Sequence, residues 1–223
     1  MTRTALSQRA LPNYTKGEEM FNMISHIVGG VFGIVALVLG VIAAAQTRDA
    51  WKIVSVSIYG ATLVTMYSVS SVYHGLNKNT AKKVMQVIDH CDIYFLIAGT
   101  YTPILLCSIR PHNEAIAWTI FGIEWGLTAL AVTLNAIDLK KFSKLSMTCY
   151  IGMGWCIIAV IKPTIEYLTM AGFWWLLWGG IAYTIGAVLY GIGKKVHYMH
   201  SVFHIFVVIG SVLQYVAIFV YVI

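Results

Sequence analysis

The chain is built from successive apolar runs of similar length, at residues 22–45, 53–74, 86–107, 115–135, 145–162, 173–193 and 200–223. Each is near the roughly 20 mainly apolar residues that carry a helix across a hydrocarbon core about 30 Å thick. Nothing in that core can hydrogen-bond an exposed backbone N–H or C=O, so such segments must close their bonds internally as helices. The expectation is therefore an all-α membrane protein, a seven-transmembrane helix bundle occupying residues 22–223 behind a short cytosolic segment, 1–21. With 59% hydrophobic and 11% charged residues and a mean hydropathy of +0.77, the chain is far more apolar than a water-soluble domain. The first twenty residues lack a separate apolar region ahead of a small-residue cleavage site, so the first span is expected to stay in place.

A net charge of +6 raises the question of nucleic acid. The basic residues, however, are dispersed among short links rather than gathered in one stretch, and no nucleic-acid partner is expected. They report orientation instead. Eleven Lys and Arg fall in the N-terminal tail (Arg3, Arg9, Lys16) and in the links after spans two, four and six, against four (Arg48, Lys52, Arg110, Lys162) on the other side. Positive charge marks the cytosolic side, so the N-terminus is expected in the cytosol and, after seven crossings, the C-terminus outside. The expected location is the cell (inner) membrane as a multi-pass protein. Cys91, Cys107, Cys149 and Cys156 lie in or beside apolar runs without C-x-x-C spacing and read as small buried hydrophobes.

Ionisable side chains at membrane depth are costly, which makes each one a functional candidate. Here they come in pairs that share a helix face: Ser70 with His74 at the end of span two, Asp89 with Asp92 at the start of span three, and His200 with His204 at the start of span seven. The topology brings all three pairs to the cytosolic face. Two imidazoles four residues apart can share a metal ion. His74, His200 and His204 then form a first shell for zinc with one position open, the arrangement of a catalytic site, and Asp89 is placed to hold and deprotonate water while Ser70 donates a hydrogen bond. The competing reading is of histidines that pack and hydrogen-bond between helices.

Glu19, Asn22 and His26 share one face where span one begins, and they read either as an outer shell or gate of the site or as capping and anchoring groups. Glu124, in the middle of span four, is expected to be protonated, paired or facing a cavity. His90, His112 and His197 have no partner at ligand spacing and read as ordinary surface residues. Gly29 and Gly33 form a G-x-x-x-G pattern, a sign of close helix packing.

Four segments, E-E-M-F-N-M-I-S-H (18–26), S-S-V-Y-H (70–74), D-H-C-D-I-Y-F-L-I-A-G-T-Y-T-P (89–103) and H-S-V-F-H (200–204), resemble the hemolysin III family, the bacterial branch of the progestin and adiponectin receptor family. The resemblance spans nearly the whole chain. It implies a seven-helix bundle with zinc held by His74, His200 and His204, and with Ser70 and Asp89 close to the metal. Asp92 stands where the pattern leads one to expect a small neutral residue, and it joins Glu19, Asn22 and His26 as an outer-shell candidate. The wider superfamily includes alkaline ceramidases, which implies hydrolysis of lipid amides; bacterial relatives imply a link to membrane-fluidity homeostasis.

Two functions follow as expectations. The first is a zinc-dependent membrane hydrolase acting on a lipid amide or ester. The second is a non-enzymatic protein, either a lipid or fluidity sensor with structural zinc or a pore-forming hemolysin. In both, membrane lipid is the expected substrate or ligand. Short termini without an amphipathic inserting segment lend the pore little support.

Overall fold

The computed structural model describes residues 4–223 and is all-helical. Arg3, counted above with the N-terminal tail, lies outside the described residues. Seven α-helices are found among the described residues: α1 (Lys16–Gln46), α2 (Ala50–Gly75), α3 (Thr80–Pro103), α4 (Glu114–Asp138), α5 (Ser143–Gly154), α6 (Ile161–Ile192) and α7 (Met199–Tyr221). Polar side chains start the first four. Thr15 and Glu18 form a reciprocal capping box on α1, while Asp49, Asn79 and Asn113 accept backbone N–H groups of α2, α3 and α4. Proline closes α3 at Pro103, and the chain continues through a wider helical turn, Ile104–Ile109.

The buried face of α1 runs Glu18, Asn22, His26, Gly29, Gly33, Ala36, Gly40 and Ala44. Its opposite face exposes Met20, Ile24, Ile27, Val31, Val35 and Val38, as a lipid-facing surface requires. The G-x-x-x-G expectation holds: a Cβ on Gly29 would run into the Tyr67 ring, and Gly33 sits against the α2 backbone at Val64. α1 therefore lies close along α2, and its polar first turns face the end of α2. α7 packs between α6 and α1, α2 against α3, and α3 against α4. α3 is the most buried of the spanning stretches.

Six stretches are long and apolar enough to cross a membrane: Lys16–Gln46, Ala50–Gly75, Thr80–Ile109, Glu114–Asp138, Ser143–Ile192 and Met199–Tyr221. The sequence-based expectation was seven, and the difference lies wholly in Ser143–Ile192. Its 50 residues would measure roughly 75 Å as one helix, more than twice the hydrocarbon core. The stretch is interrupted by the turn Cys156–Val160 and again at Thr169, whose φ of 68° and ψ of 161° are non-helical. The link expected at 163–172 is thus helical on both sides of one residue. Pro163 does not break it, because it falls in the first turn of α6, where no intrahelical N–H is needed.

Candidate metal centre

The site forms where α1, α3 and α7 begin and α2 ends. Glu18 serves two ends there. Besides closing the capping box, it accepts the Tyr198 backbone N–H (2.7 Å) and the His197 imidazole (3.2 Å). Those bonds tie the link before α7 to the first turn of α1. Tyr198 takes a left-handed conformation (φ 62°), which turns the chain into α7 and sets the azimuth of His200 and His204.

Glu19 anchors α2 in the same way. One carboxylate oxygen accepts from His74 Nδ1 at 2.7 Å and the other from Lys82 Nζ at 2.8 Å. Lys82 is 2% exposed and also donates to the carbonyl of Leu76 at 2.9 Å. With Nδ1 committed as donor, the other ring nitrogen of His74, Nε2, carries the lone pair. It is buried and has no partner. A carboxylate behind the distal nitrogen is the usual device that fixes a ligand histidine's tautomer and ring orientation.

His200 and His204 face each other through Nε2 atoms 3.1 Å apart. One ligand nitrogen from each of His74, His200 and His204 can be chosen so that all lie within 4.8 Å of one another. In a tetrahedral site with metal–nitrogen bonds of about 2.05 Å, neighbouring ligands stand roughly 3.3 Å apart. All three rings are buried; at 3.1 Å one Nε2 of the His200–His204 pair can donate to the other, but His74 Nε2 and His200 Nδ1 have no partner, and buried unpartnered ring nitrogens are costly. The donor set therefore fits a metal ion.

Further groups close round the three rings. His26 stacks on His204 with centroids 3.7 Å apart, and neither of its nitrogens has a partner. Ser25 Oγ approaches His204 Nδ1, and Asn22 Nδ2 approaches His74 Nδ1, both at 3.5 Å. Tyr14, from the segment before α1, stacks on His200 at 4.7 Å. Burial pushes the Tyr14 hydroxyl pKa well up, and the nearby Tyr190, Glu19, Asp89 and Glu18 add to the effect.

The structure thus brings Glu19, Asn22 and His26 directly onto the histidines. It does not do so for every candidate. Ser70 is buried one turn before His74, but no hydrogen bond among the described residues joins it to the triad. Asp89 is partly buried with its carboxylate 3.6 Å from His90, and it is not in the grouping of ligand atoms. Asp92 is buried, with Oδ2 lacking a partner. Contributors that the sequence pattern did not reveal are Glu18, Lys82, Tyr14 and Ser25. Lys82 had a signal: it precedes Asp89 by seven residues and so shares its helix face. The surface reading of His90 needs correcting. Its imidazole bonds Gln86 O and Tyr190 Oη and its carbonyl accepts from Tyr150, linking α3 to α5 and α6 inside the bundle.

The family described as Haemolysin-III related matches residues 14–215. The chain is 37% identical to Hemolysin-3 of Bacillus cereus over 205 residues, covering 92% of each chain.

The chain belongs to the hemolysin III family.

It is likewise 37% identical to the Hemolysin-3 homolog of Bacillus subtilis (strain 168), over 93% of this chain and 96% of that one. A more distant relative, the Heptahelical transmembrane protein ADIPOR2 of Oryza sativa subsp. japonica, is 23% identical over 70% of this chain and 76% of its own length. This hemolysin III protein thus falls within the progestin and adiponectin receptor family, as its motifs imply. No solved structure gives a significant match.

Proposed function

We propose that this hemolysin III protein is a zinc-dependent integral membrane hydrolase of lipid amides or esters, acting in membrane lipid and fluidity homeostasis. The observation that carries the reading is the Lys82–Glu19–His74 chain, which occupies His74 Nδ1 and leaves its Nε2 without a partner in a ring whose nitrogens lie within ligand-sharing reach of His200 and His204. His74, His200 and His204 would hold the zinc ion, which would supply an acidified water and a Lewis acid for a carbonyl. Asp89 takes the proton as water adds to the carbonyl carbon and returns it to the departing nitrogen or oxygen when the C–N or C–O bond breaks. Ser70 orients the carbonyl oxygen by donating a hydrogen bond. The site lies at the ends of spanning helices, where a lipid can keep its acyl chain in the bilayer.

In this reading the chain crosses the membrane seven times, with its N-terminus and metal site on the cytosolic side. The Thr169 interruption within Ser143–Ile192, the Lys and Arg asymmetry and the rice relative's heptahelical name support it. Reporter fusions should find the two termini on opposite sides; both on one side would contradict it.

A second reading, a lipid or fluidity sensor with structural zinc, draws support from the lack of a polar contact between Asp89 or Ser70 and the triad. Asp89→Asn separates the two. It keeps all three histidines and removes the proton acceptor, so zinc should stay bound while lipid-amide or ester hydrolysis falls by roughly 10²–10⁴-fold. A zinc-loaded Asp89→Asn protein with full hydrolysis would remove Asp89 from the chemistry, whereas a wild type without hydrolysis, together with an unaltered fluidity phenotype of Asp89→Asn at matched expression, would favour the sensor.

A further inference from the structure

The three histidines of the metal centre are not held alike. Glu19 accepts from His74 Nδ1 at 2.7 Å, and Ser25 Oγ stands 3.5 Å from His204 Nδ1. His200 Nδ1 is buried and has no partner. A flat aromatic contact takes the place of the missing bond. Tyr14 lies on the His200 ring with centroids 4.7 Å apart and planes 18° apart, whereas Tyr190 and Phe203 stand 5.6 and 5.3 Å away and are tilted by 57° and 40°. A ligand imidazole ordinarily takes its orientation from a hydrogen bond on its outer nitrogen. Without one, only packing fixes its torsions, and an aromatic face laid on the ring supplies that.

Tyr14 can serve in this way because both of its neighbours are fixed. Asn13 Oδ1 accepts from Lys78 Nζ at 3.0 Å, and Thr15 donates from its backbone N–H and its hydroxyl to Glu18 Oε2, each at 2.8 Å. Further back, the Ser7 carbonyl accepts from Lys83 Nζ at 2.6 Å and Arg9 donates to the Ile137 carbonyl at 2.8 Å, so the tail is fastened to α3 and α4 before it reaches the site. The same Glu18 that holds Thr15 also accepts the backbone N–H of Tyr198, two residues before His200. One carboxylate thus sets both rings, through Thr15 on one side and Tyr198 on the other.

We propose that Tyr14 is the positioning residue for His200. Its aromatic face does for His200 what the Glu19 carboxylate does for His74, holding the imidazole at the azimuth from which its Nε2 meets the other ligand nitrogens. The role rests on the three-histidine site of the proposed function and not on hydrolysis, and it belongs to the ring of Tyr14 rather than to its hydroxyl. Because that ring arrives on the N-terminal tail, the order of the tail is part of the metal centre.

The test uses full-length protein in detergent, loaded with cobalt(II) in place of zinc, and reads the visible absorption of the bound ion and the rate at which a chelator removes it. Tyr14→Phe keeps the stacked ring and should match wild type in both. Tyr14→Ala should still bind about one cobalt per chain, with its absorption bands shifted and its release about three- to tenfold faster, the worth of one aromatic pair. Should Tyr14→Ala fail to fold, Tyr14→Leu, which refills the space without an aromatic face, carries the same expectation. Wild-type bands and release in these two variants would overturn the proposal. Faster release with unshifted bands would also overturn it, by making Tyr14 a cover over the site and not a support of His200. So would a Tyr14→Phe protein that behaves as Tyr14→Ala does, which would assign the effect to the hydroxyl. A wild type that binds neither cobalt nor zinc would overturn the metal centre and this proposal with it, whereas a cobalt-binding wild type without hydrolysis would contradict the hydrolase reading alone.

Discussion

The half of the bundle formed by α1, α2, α7 and the start of α3 handles buried polar groups differently from the half formed by α4, α5 and α6. In the first, the carboxylates that open α1 hold other groups in place. Glu18 fixes the entry to α7, and Glu19 is shared between Lys82 and His74. In the second, Glu124 is fully buried and neither oxygen has a partner. The helices differ in the same sense. α1 packs glycine to ring along α2, whereas the α5–α6 region is broken by a tight turn and by a strained Thr169. Glu18 and Glu19 thus hold groups of other helices, whereas Glu124 has no nearer polar neighbour than the Cys156 thiol.

The strongest way to break that contrast is to make Glu19 resemble Glu124. Lys82→Met leaves the half-buried Glu19 carboxylate with an imidazole as its only charged partner, and losing a hydrogen bond to a charged group costs about 1.5–3 kcal/mol. Thermal unfolding in detergent should register the loss, and an unchanged melt would mean that Lys82 does not hold Glu19. Glu19→Gln acts less on the fold and more on the centre. Losing the carboxylate behind His74 should weaken metal binding about 10- to 100-fold, measured by chelator competition; unaltered affinity would separate Glu19 from the site.

How much of this was legible in the sequence depends on whether a feature lies within one helix or between several. The i, i+4 spacing of His200 and His204 and the depth shared with His74 are properties of single helices and of their alternation, and both could be read directly. Glu19 was recognised as sharing a face with Asn22 and His26, but its bond to His74 depends on the close approach of α1 to α2. Lys82 was counted as a topology charge because link lysines usually are. Tyr14 sat in a polar tail with no periodicity to mark it. The Thr169 interruption has neither glycine nor proline at the break to mark it.

Two smaller effects sharpen the contrast from the other half. Thr169→Gly should relieve a backbone conformation that a β-branched residue adopts at a cost, stabilising the protein by about 1 kcal/mol; a lower melting temperature would mean that the Thr169 side chain has a role of its own. Glu124→Gln should change stability by about 1 kcal/mol or less, since the only group beside the carboxyl is the weakly bonding Cys156 thiol, and should leave metal content untouched. A large loss in either would show that Glu124 holds a partner.

The metal centre requires that His74, His200 and His204 bind one ion together, and metal analysis of full-length protein purified without chelators tests this most directly. Wild type should carry about one zinc per chain, and His200→Ala/His204→Ala should carry none while still inserting into the membrane. Stoichiometric zinc retained by the double variant, or a metal-free wild type that stays empty when zinc is supplied, would contradict it.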